Sequence, residues 1–337
     1  MSKLPLYIIL IIVFCTMIYK SNAQDFHFSQ YFNAPLLTNP ANTGFMPDND
    51  FRIGMNYRNQ WTTLNNPYKT MSLWGDAQLL SQKLDNSWLG IGGSLLSDAA
   101  GTGNLTSTNV QLSIAYHQML EESSLLSGGL GIGWIQKHID FSKLTFDNQW
   151  NSHFFDNQMP VGETFNTNNV NYFDLSAGLN YAFMPDENNY FNVGISAQHL
   201  NQPNESFFGQ QDIIPVRYNG FLNGNFKILE LWIINPNIYY SNMASASELL
   251  FGLNASRKLD EDGNKQLMVG CYYRKDDAII PMVGFQLSNT KLTFSYDATN
   301  SAISSFKSGV GAYEVSLIYK GNYPSGHEIK CPRFVKF

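Results

Sequence analysis

Charged side chains recur at every second position of otherwise apolar segments, which places them on one face of a strand. Arg52 and Arg58 share a face in this way, and Asp76, Asp174, Arg217, Lys227, Arg274, Asp297 and Glu314 fall on the polar face of later segments. Charges of both signs enclosed together would pair, because a buried charge needs a partner. One sign alone would form a selectivity ring. Cross-strand neighbours keep a constant residue sum, so a hairpin about residues 62–67 sets Asp76 opposite Arg52. The expected chemistry is a structural Arg–Asp network of Arg52, Arg58 and Asp76, with a pore ring as the alternative.

Reactive chemistry is not indicated. The six histidines (His27, His117, His138, His153, His199 and His327) show no metal-ligand spacing. No nucleophile elbow, P-loop or Cys-x-x-Cys is present. Ser113 and His117 share a face, but four residues of strand separate them by ~13 Å, too far for a hydrogen bond. Asp260-Glu261-Asp262-Gly263-Asn264 opens like a calcium loop, yet Cys271 stands where the bidentate Glu is needed, so it reads as a hairpin turn. The sequence predicts no enzyme, no cofactor and no metal. A net charge of -6 gives no basic footprint for nucleic acid.

Two other residue groups could make contacts. Gly90, Gly92, Gly129, Gly131 and Gly133, with Ser94, Ser113, Ala115, Ser127, Ser176, Gly178, Gly194 and Ser196, share the polar face of neighbouring segments. Strand glycines mark close approach of another backbone, and the native candidate is the irregular segment 24–48; the alternative is that small residues tune curvature. The long linker 139–170 carries Trp150, Phe154, Phe155 and Phe165 among many Asn, and 200–214 carries Phe207 and Phe208. Loops carry function more often than scaffolds, so these six aromatics are the expected partner contacts, against the plainer reading that the loops fold over a mouth.

What must position these residues is a sheet. Period-two alternation runs from about residue 50 to 320 and predicts fourteen strands: 50–61, 68–79, 87–97, 106–118, 124–138, 171–183, 188–199, 215–227, 230–241, 246–258, 265–275, 278–288, 290–298 and 309–320. Soluble strands average ~5 to 6 residues, and these are long enough to cross a bilayer at a tilt. The chain is 44% hydrophobic and 14% charged, so lipid can serve as its outer coat. On segments such as 110–117 the apolar set (Val110, Leu112, Ile114, Tyr116) should face lipid and the polar set (Gln111, Ser113, Ala115, His117) a lumen. A soluble sandwich or propeller is the rival. The fold class expected is an all-β, antiparallel up-and-down outer-membrane barrel.

Further details follow from that frame. Trp61, Trp88, Trp232, Tyr57, Tyr240, Tyr273, Tyr313 and Tyr319 lie toward strand ends, where amphipathic rings favour the headgroup level. Linkers 119–123, 184–187 and 227–229 are short and should be periplasmic, whereas 139–170, 200–214 and 299–308 are long and should be outside. The strand boundaries leave some of these linkers off their expected side, marking one or two boundaries as misplaced. Pro236 should bulge or break its strand. Cys271 should face lipid, and it and Cys331 should be unpaired. Lys3, the apolar run to Tyr19 and Ser21-Asn22-Ala23 form a secretory signal cleaved before Gln24. The expected division is 1–23 signal peptide, 24–48 N-terminal segment acting as a lumen plug, 49–320 barrel and 321–337 periplasmic tail.

Phe28-Ser29-Gln30-Tyr31, Asn39-Pro40-Ala41, Gly44 and Tyr57-Arg58-Asn59-Gln60-Trp61 at one end, with Tyr313-Glu314-Val315-Ser316-Leu317 and Cys331-Pro332-Arg333-Phe334 at the other, resemble the PorP/SprF family of type IX secretion system membrane proteins. That resemblance implies a non-catalytic outer-membrane component supporting secretion or surface attachment of a particular cargo, often an adhesin. Implied partners are the cargo's C-terminal sorting domain, other secretion and gliding machinery, and outer-membrane lipid. The alternative is a passive channel or small-molecule transporter with a plugged lumen.

Overall fold

The computed structural model describes residues 26–46, 49–62, 67–81, 84, 86–156, 158–162, 166–260, 263–300 and 311–323. The signal peptide and its cleavage site, Phe165, Cys331, most of linker 299–308 and all but the first residues of the C-terminal tail lie outside the described residues.

Fourteen strands close into one antiparallel barrel in which each pairs with its sequence neighbours and the last returns to the first. They are β1 (Phe51–Gln60), β2 (Tyr68–Leu79), β3 (Ser87–Ala100), β4 (Leu105–Glu121), β5 (Ser124–His138), β6 (Asn169–Asp186), β7 (Asn189–Gln198), β8 (Arg217–Ile228), β9 (Trp232–Met243), β10 (Ala246–Lys258), β11 (Lys265–Arg274), β12 (Ala278–Leu287), β13 (Thr290–Thr299) and β14 (Gly311–Gly321). The largest departures from the alternation are extensions of three residues, at the ends of β3, β4 and β6, which reach Ala100, Glu121 and Asp186.

Side-chain alternation sorts the two surfaces. Leu112 and Leu130 are 63% exposed on the outer face, while His117 on the inner face of β4 is fully buried. This inverts a soluble core: Asn56, Asp76, Ser113, Asn180, Ser295 and Glu314 are buried inside, and apolar side chains form the rind that a bilayer would cover. The inner face is not polar throughout. Phe221, Tyr239, Leu250, Tyr272, Ile280 and Met282 gather around Tyr31, an apolar pocket the simple polar-inward rule misses.

Trp88 also departs from expectation. It points into the lumen, where its Nε1 donates to the Gly44 carbonyl at 2.9 Å and its ring stacks on His117, so it is no part of an interfacial belt. Pro236 interrupts hydrogen bonding between β8 and β9 without shifting register: Asn223 pairs with Asn237 and Phe226 with Ile234 on the same residue sum. Cys271 is exposed on the outer face.

Strand alternation assigns every linker to a rim. Residues 122–123, 187–188 and 229–231 join strands at one end, and 139–168, 199–216 and 300–310 join them at the other. The three short linkers share one end and the three long ones the other, so the suspected misplaced boundaries are not found among the described residues. These ends are termed the short-turn rim and the long-loop rim.

Residues 26–46 cross the barrel interior as three short turns, Tyr31–Asn33, Pro35–Thr38 and Pro40–Asn42. Pro35 and Pro40 open the second and third turns, where a missing N–H leaves no donor unsatisfied. The path starts beside the long-loop ends of β8, β10 and β11, since Arg217 donates to the Phe26 carbonyl. It ends at the short-turn rim, where Phe45 packs with Trp88, Leu125, Ala182 and Met184. Asp50 then donates to Gly321 and β1 begins.

Candidate functional site

The segment is held by two chemically distinct sides of the barrel. On β1, β13 and β14 the holding groups are charges. Arg58 lies opposite Glu314 in the β1–β14 register and reaches Glu314 at 3.3 Å and Asp297 at 2.9 Å. Arg274 extends the cluster to Asp297 at 3.1 Å and to Glu248 at 3.0 Å. Into this cluster the segment inserts its backbone: the N–H groups of Ser29 and Gln30 each donate to the Glu314 carboxylate at 2.9 Å. The Ser29 hydroxyl donates to Asp297 and accepts from Arg58 and Arg274. Hydrogen bonds to ionised groups are the strong ones, and Ser29, Gln30, Arg58, Arg274, Asp297 and Glu314 are all buried.

Arg52 and Asp76 form a separate pair nearer the short-turn rim. They face each other in register and join through two bonds of 2.8 and 2.9 Å. Arg52 also donates to the Asn42 carbonyl, and Asp76 accepts from the Gly44 N–H at 2.7 Å. The structure therefore splits the expected trio: Arg58 joins Asp297 and Glu314, not Arg52 and Asp76, because six residues along β1 set them ~20 Å apart.

On β3 to β7 the holding groups are glycines. A Cβ at Gly90 would overlap the Thr43 carbonyl, and one at Gly129 would overlap the Pro40–Ala41 peptide. A Cβ at Gly92 would come within 2.8 Å of Leu36. Gly44 adopts φ +70°, a conformation open to glycine, and lies backbone to backbone against Gly90. Between Gly178 and Gly194 the side chain of Asn39 reaches the strands themselves, donating to the carbonyls of Leu179 at 3.0 Å and Ile195 at 3.1 Å. Gly131 and Gly133 do not touch the segment. Their Cβ positions face Ser176, Gln111, Asp174 and Asn109 of the barrel.

His117 closes this side. Nε2 donates to the Thr43 carbonyl at 2.8 Å, which fixes the tautomer, so Nδ1 accepts from Ser127 at 2.7 Å. The serine that meets His117 is Ser127 across the β4–β5 ladder; Ser113 instead meets Thr43.

The segment divides the interior. Toward the long-loop rim lies a cavity of about 730 Å³, floored by Phe26, His27 and Leu37 and roofed by Glu205, Asp212 and Ile213. Toward the short-turn rim lies one of about 270 Å³, roofed by Tyr31, Phe32 and Phe45. His27 stands in the floor of the larger cavity. Burial, partly opposed by Glu248 and reinforced by Arg274, holds its pKa down at about 4, so it is neutral at pH 7 and its 3.9 Å approach to Glu248 is no ion pair there.

The loop aromatics are placed as follows. Trp150, Phe154, Phe155 and Phe208 are exposed at the long-loop rim, and Trp150 packs against Phe155 with ring centres 5.0 Å apart. Phe207 turns between the loops, edge-on to Phe141, with its carbonyl accepting from Asn166. Glu205 pins the second loop over the cavity through Lys137 at 2.8 Å and Tyr172 at 2.9 Å.

The PorP/SprF type IX secretion system membrane proteins match residues 20–319, which span the segment and nearly all of the barrel. The chain belongs to the PorP/SprF family. It is accordingly a type IX secretion membrane component. No curated protein sequence matches it. In fold it is similar to the toluene transporter TodX of Pseudomonas putida, with a TM-score of 0.56 at 11% identity over 86% of this chain and 94% of that one. The monoaromatic hydrocarbon channel CymD gives 0.51 at 11% identity over 86% and 93%. At such identity the likeness is one of barrel architecture.

For a PorP/SprF member, the geometry gives the residues of the resemblance a common location. Ser29 and Gln30 of residues 28–31, Arg58 of residues 57–61 and Glu314 of residues 313–317 meet in one buried cluster. Sequence reasoning missed Arg58's union with Glu314 and the lumenal role of Trp88. Position parity could have found the second, since residue 88 shares a face with 90 and 92.

Proposed function

We propose that this protein is a non-catalytic outer-membrane component of the type IX secretion system that supports secretion or surface attachment of a specific cargo, such as an adhesin. The signal peptide is removed before Gln24. Residues 26–46 act as a permanent plug, so the barrel is an anchorage and not a conduit. The observation that carries this is the segment's double attachment, by carboxylates to the backbone of Ser29 and Gln30 and by glycine contacts from Leu36 to Gly44. The charge clusters brace that plug; their mixed signs argue against a selectivity ring.

Cargo, through its C-terminal sorting domain, then binds outside the sealed lumen. The surface best suited is the long-loop rim, where Trp150, Phe154, Phe155 and Phe208 are exposed and aromatic anchors are typical of protein interfaces. Other secretion and gliding machinery would meet the opposite rim. Deleting the gene and comparing surface and medium proteins tests the proposal. Loss of one or a few surface proteins, with other secretion intact, is expected, and Trp150→Ala with Phe155→Ala should reproduce it in a folded barrel. Normal secretion together with a nutrient-uptake defect would overturn it in favour of a transporter.

A further inference from the structure

Three inward arginines of the barrel hold carboxylates, and a set of cations at the short-turn rim does not. Arg52, Arg58 and Arg274 each hold a carboxylate within 3.3 Å. At the short-turn ends of β8, β10 and β11 stand Lys227, Arg257, Lys258 and Lys265, and among the described residues none has an ion-pair partner. Lys227 and Lys258 are close enough to repel one another. By strand parity Lys227 and Lys258 lie on the lumen face and Arg257 and Lys265 on the outer face, where the two outward cations would attract an anion from outside.

The setting says which anion. Arg257 and Trp232 face each other in the β9–β10 register, and the guanidinium lies over the indole at 5.7 Å. Both project from the apolar outer face, in line with exposed Phe251, Leu253, Ile238 and Tyr240. Leu267 is Arg257's partner on β11, and Lys265 follows two residues nearer the rim on the same face. Ile228, Leu229 and Leu259 are exposed at the tips of the same hairpins, Leu229 at 76%, whereas a turn entering water would be polar. Asp260 turns back to accept from the Lys265 backbone N–H at 2.9 Å, and Glu230 occupies the β8–β9 turn.

We infer that this corner of the short-turn rim is a binding site for an anionic phospholipid, with Arg257 and Lys265 holding the headgroup phosphate and Trp232, Ile228 and Leu229 contacting its upper acyl chains. A lipid-facing cation costs far less near the interface than at the bilayer centre, so the site is tolerable where it stands. The inference rests on the outer-membrane reading above.

The test is reconstitution of the full chain in equimolar phosphatidylethanolamine and phosphatidylglycerol, gentle detergent extraction and native mass spectrometry of retained lipid. Phosphatidylglycerol should be retained over phosphatidylethanolamine by about fivefold per engaged cation. R257S with K265S should abolish that preference while keeping the heat-modifiable gel mobility of a folded barrel. K69S with K275S, at the opposite rim, should leave it intact. No preference in the wild type, or an unchanged preference in R257S with K265S, overturns the inference. If the double variant does not fold, the wild type decides: the preference must fall as salt rises, and persistence in high salt overturns it. Binding of inorganic phosphate without lipid preference means a free-anion site and also overturns it. Failure to enter bilayers at all overturns the outer-membrane reading first and this site with it.

Discussion

One segment lies between two sides of a barrel that hold it by opposite means. The β13–β14–β1 side uses long, charged side chains that reach inward, and the β3–β7 side removes side chains so that backbones meet. Ser29 and Gln30 are bound to Glu314 by directional, charge-assisted hydrogen bonds at 2.9 Å. Pro40, Ala41 and Thr43 are bound by steric fit against Gly129 and Gly90. The first mode tolerates small displacements, because carboxylate and guanidinium groups swing; it does not tolerate loss of a charge. The second tolerates no added volume on the barrel. Each side therefore has its own characteristic lesion.

The largest effect is expected on the charged side. Arg58→Met leaves Glu314 and Asp297 together with Arg274 as their remaining cation, and breaking a buried pair from one end costs about 3–5 kcal/mol. Proteolysis should then open the chain near Ser29 first, with residues 39–44 still protected. Arg58→Met combined with Glu314→Leu should recover much of the loss, because no unpaired charge remains there. Failure to recover would mean that Glu314's bonds to the Ser29 and Gln30 N–H groups dominate the cluster.

Next comes Gly129→Leu. Overpacking costs about 1–3 kcal/mol where side chains can yield, and here the obstacle is the Pro40–Ala41 backbone, so the upper part of that range is expected. Protection should be lost from Leu36 to Gly44 and kept at Ser29, the reverse of the arginine variant. Measured in one double-mutant cycle, R58M and G129L should be near additive, since the sites share no partner. Gly131→Ala should do less, under about 1 kcal/mol, because its Cβ meets the movable ends of Ser176 and Gln111. Equal losses at Gly129 and Gly131 would sink the claim that the segment packs on the glycine face at a defined depth.

The barrel was legible because period two, repeated over long strands, leaves few alternatives, and each residue's face follows from parity. The register of Arg52 with Asp76 was legible because a short hairpin turn ties their residue sum. Arg58 and Glu314 are 256 residues apart, and no turn spans the closing seam, so their pairing depends on closure itself. Parity likewise shows that Gly129, Gly131 and Gly133 face inward but not the height at which residues 39–44 cross. That height depends on three turns whose Asn and Pro content gives no periodic signal. Phe207 was read as a surface contact because an aromatic in a long loop looks the same from sequence whether it faces solvent or, as here, Phe141.

The smallest effect concerns pH and is read first at the charged side. His27 joins that side's edge, facing Glu248, Arg274, Arg58 and Asp297. Its pKa is about 4 in place and 6.5 when free, so between these values the released segment binds a proton that the docked segment does not. Docking is therefore at full strength above pH 6.5 and weakens as pH falls toward 4, with no further loss from this group below that. Hydrogen exchange at Ser29 and Gln30 should accelerate over that window. His27→Asn should remove the slope at Ser29 without changing protection at pH 7. A slope that survives at Ser29 in His27→Asn would assign the titration to the carboxylates of the cluster, and a slope that survives at Thr43 would belong to His117, whose Nε2 donates to the Thr43 carbonyl.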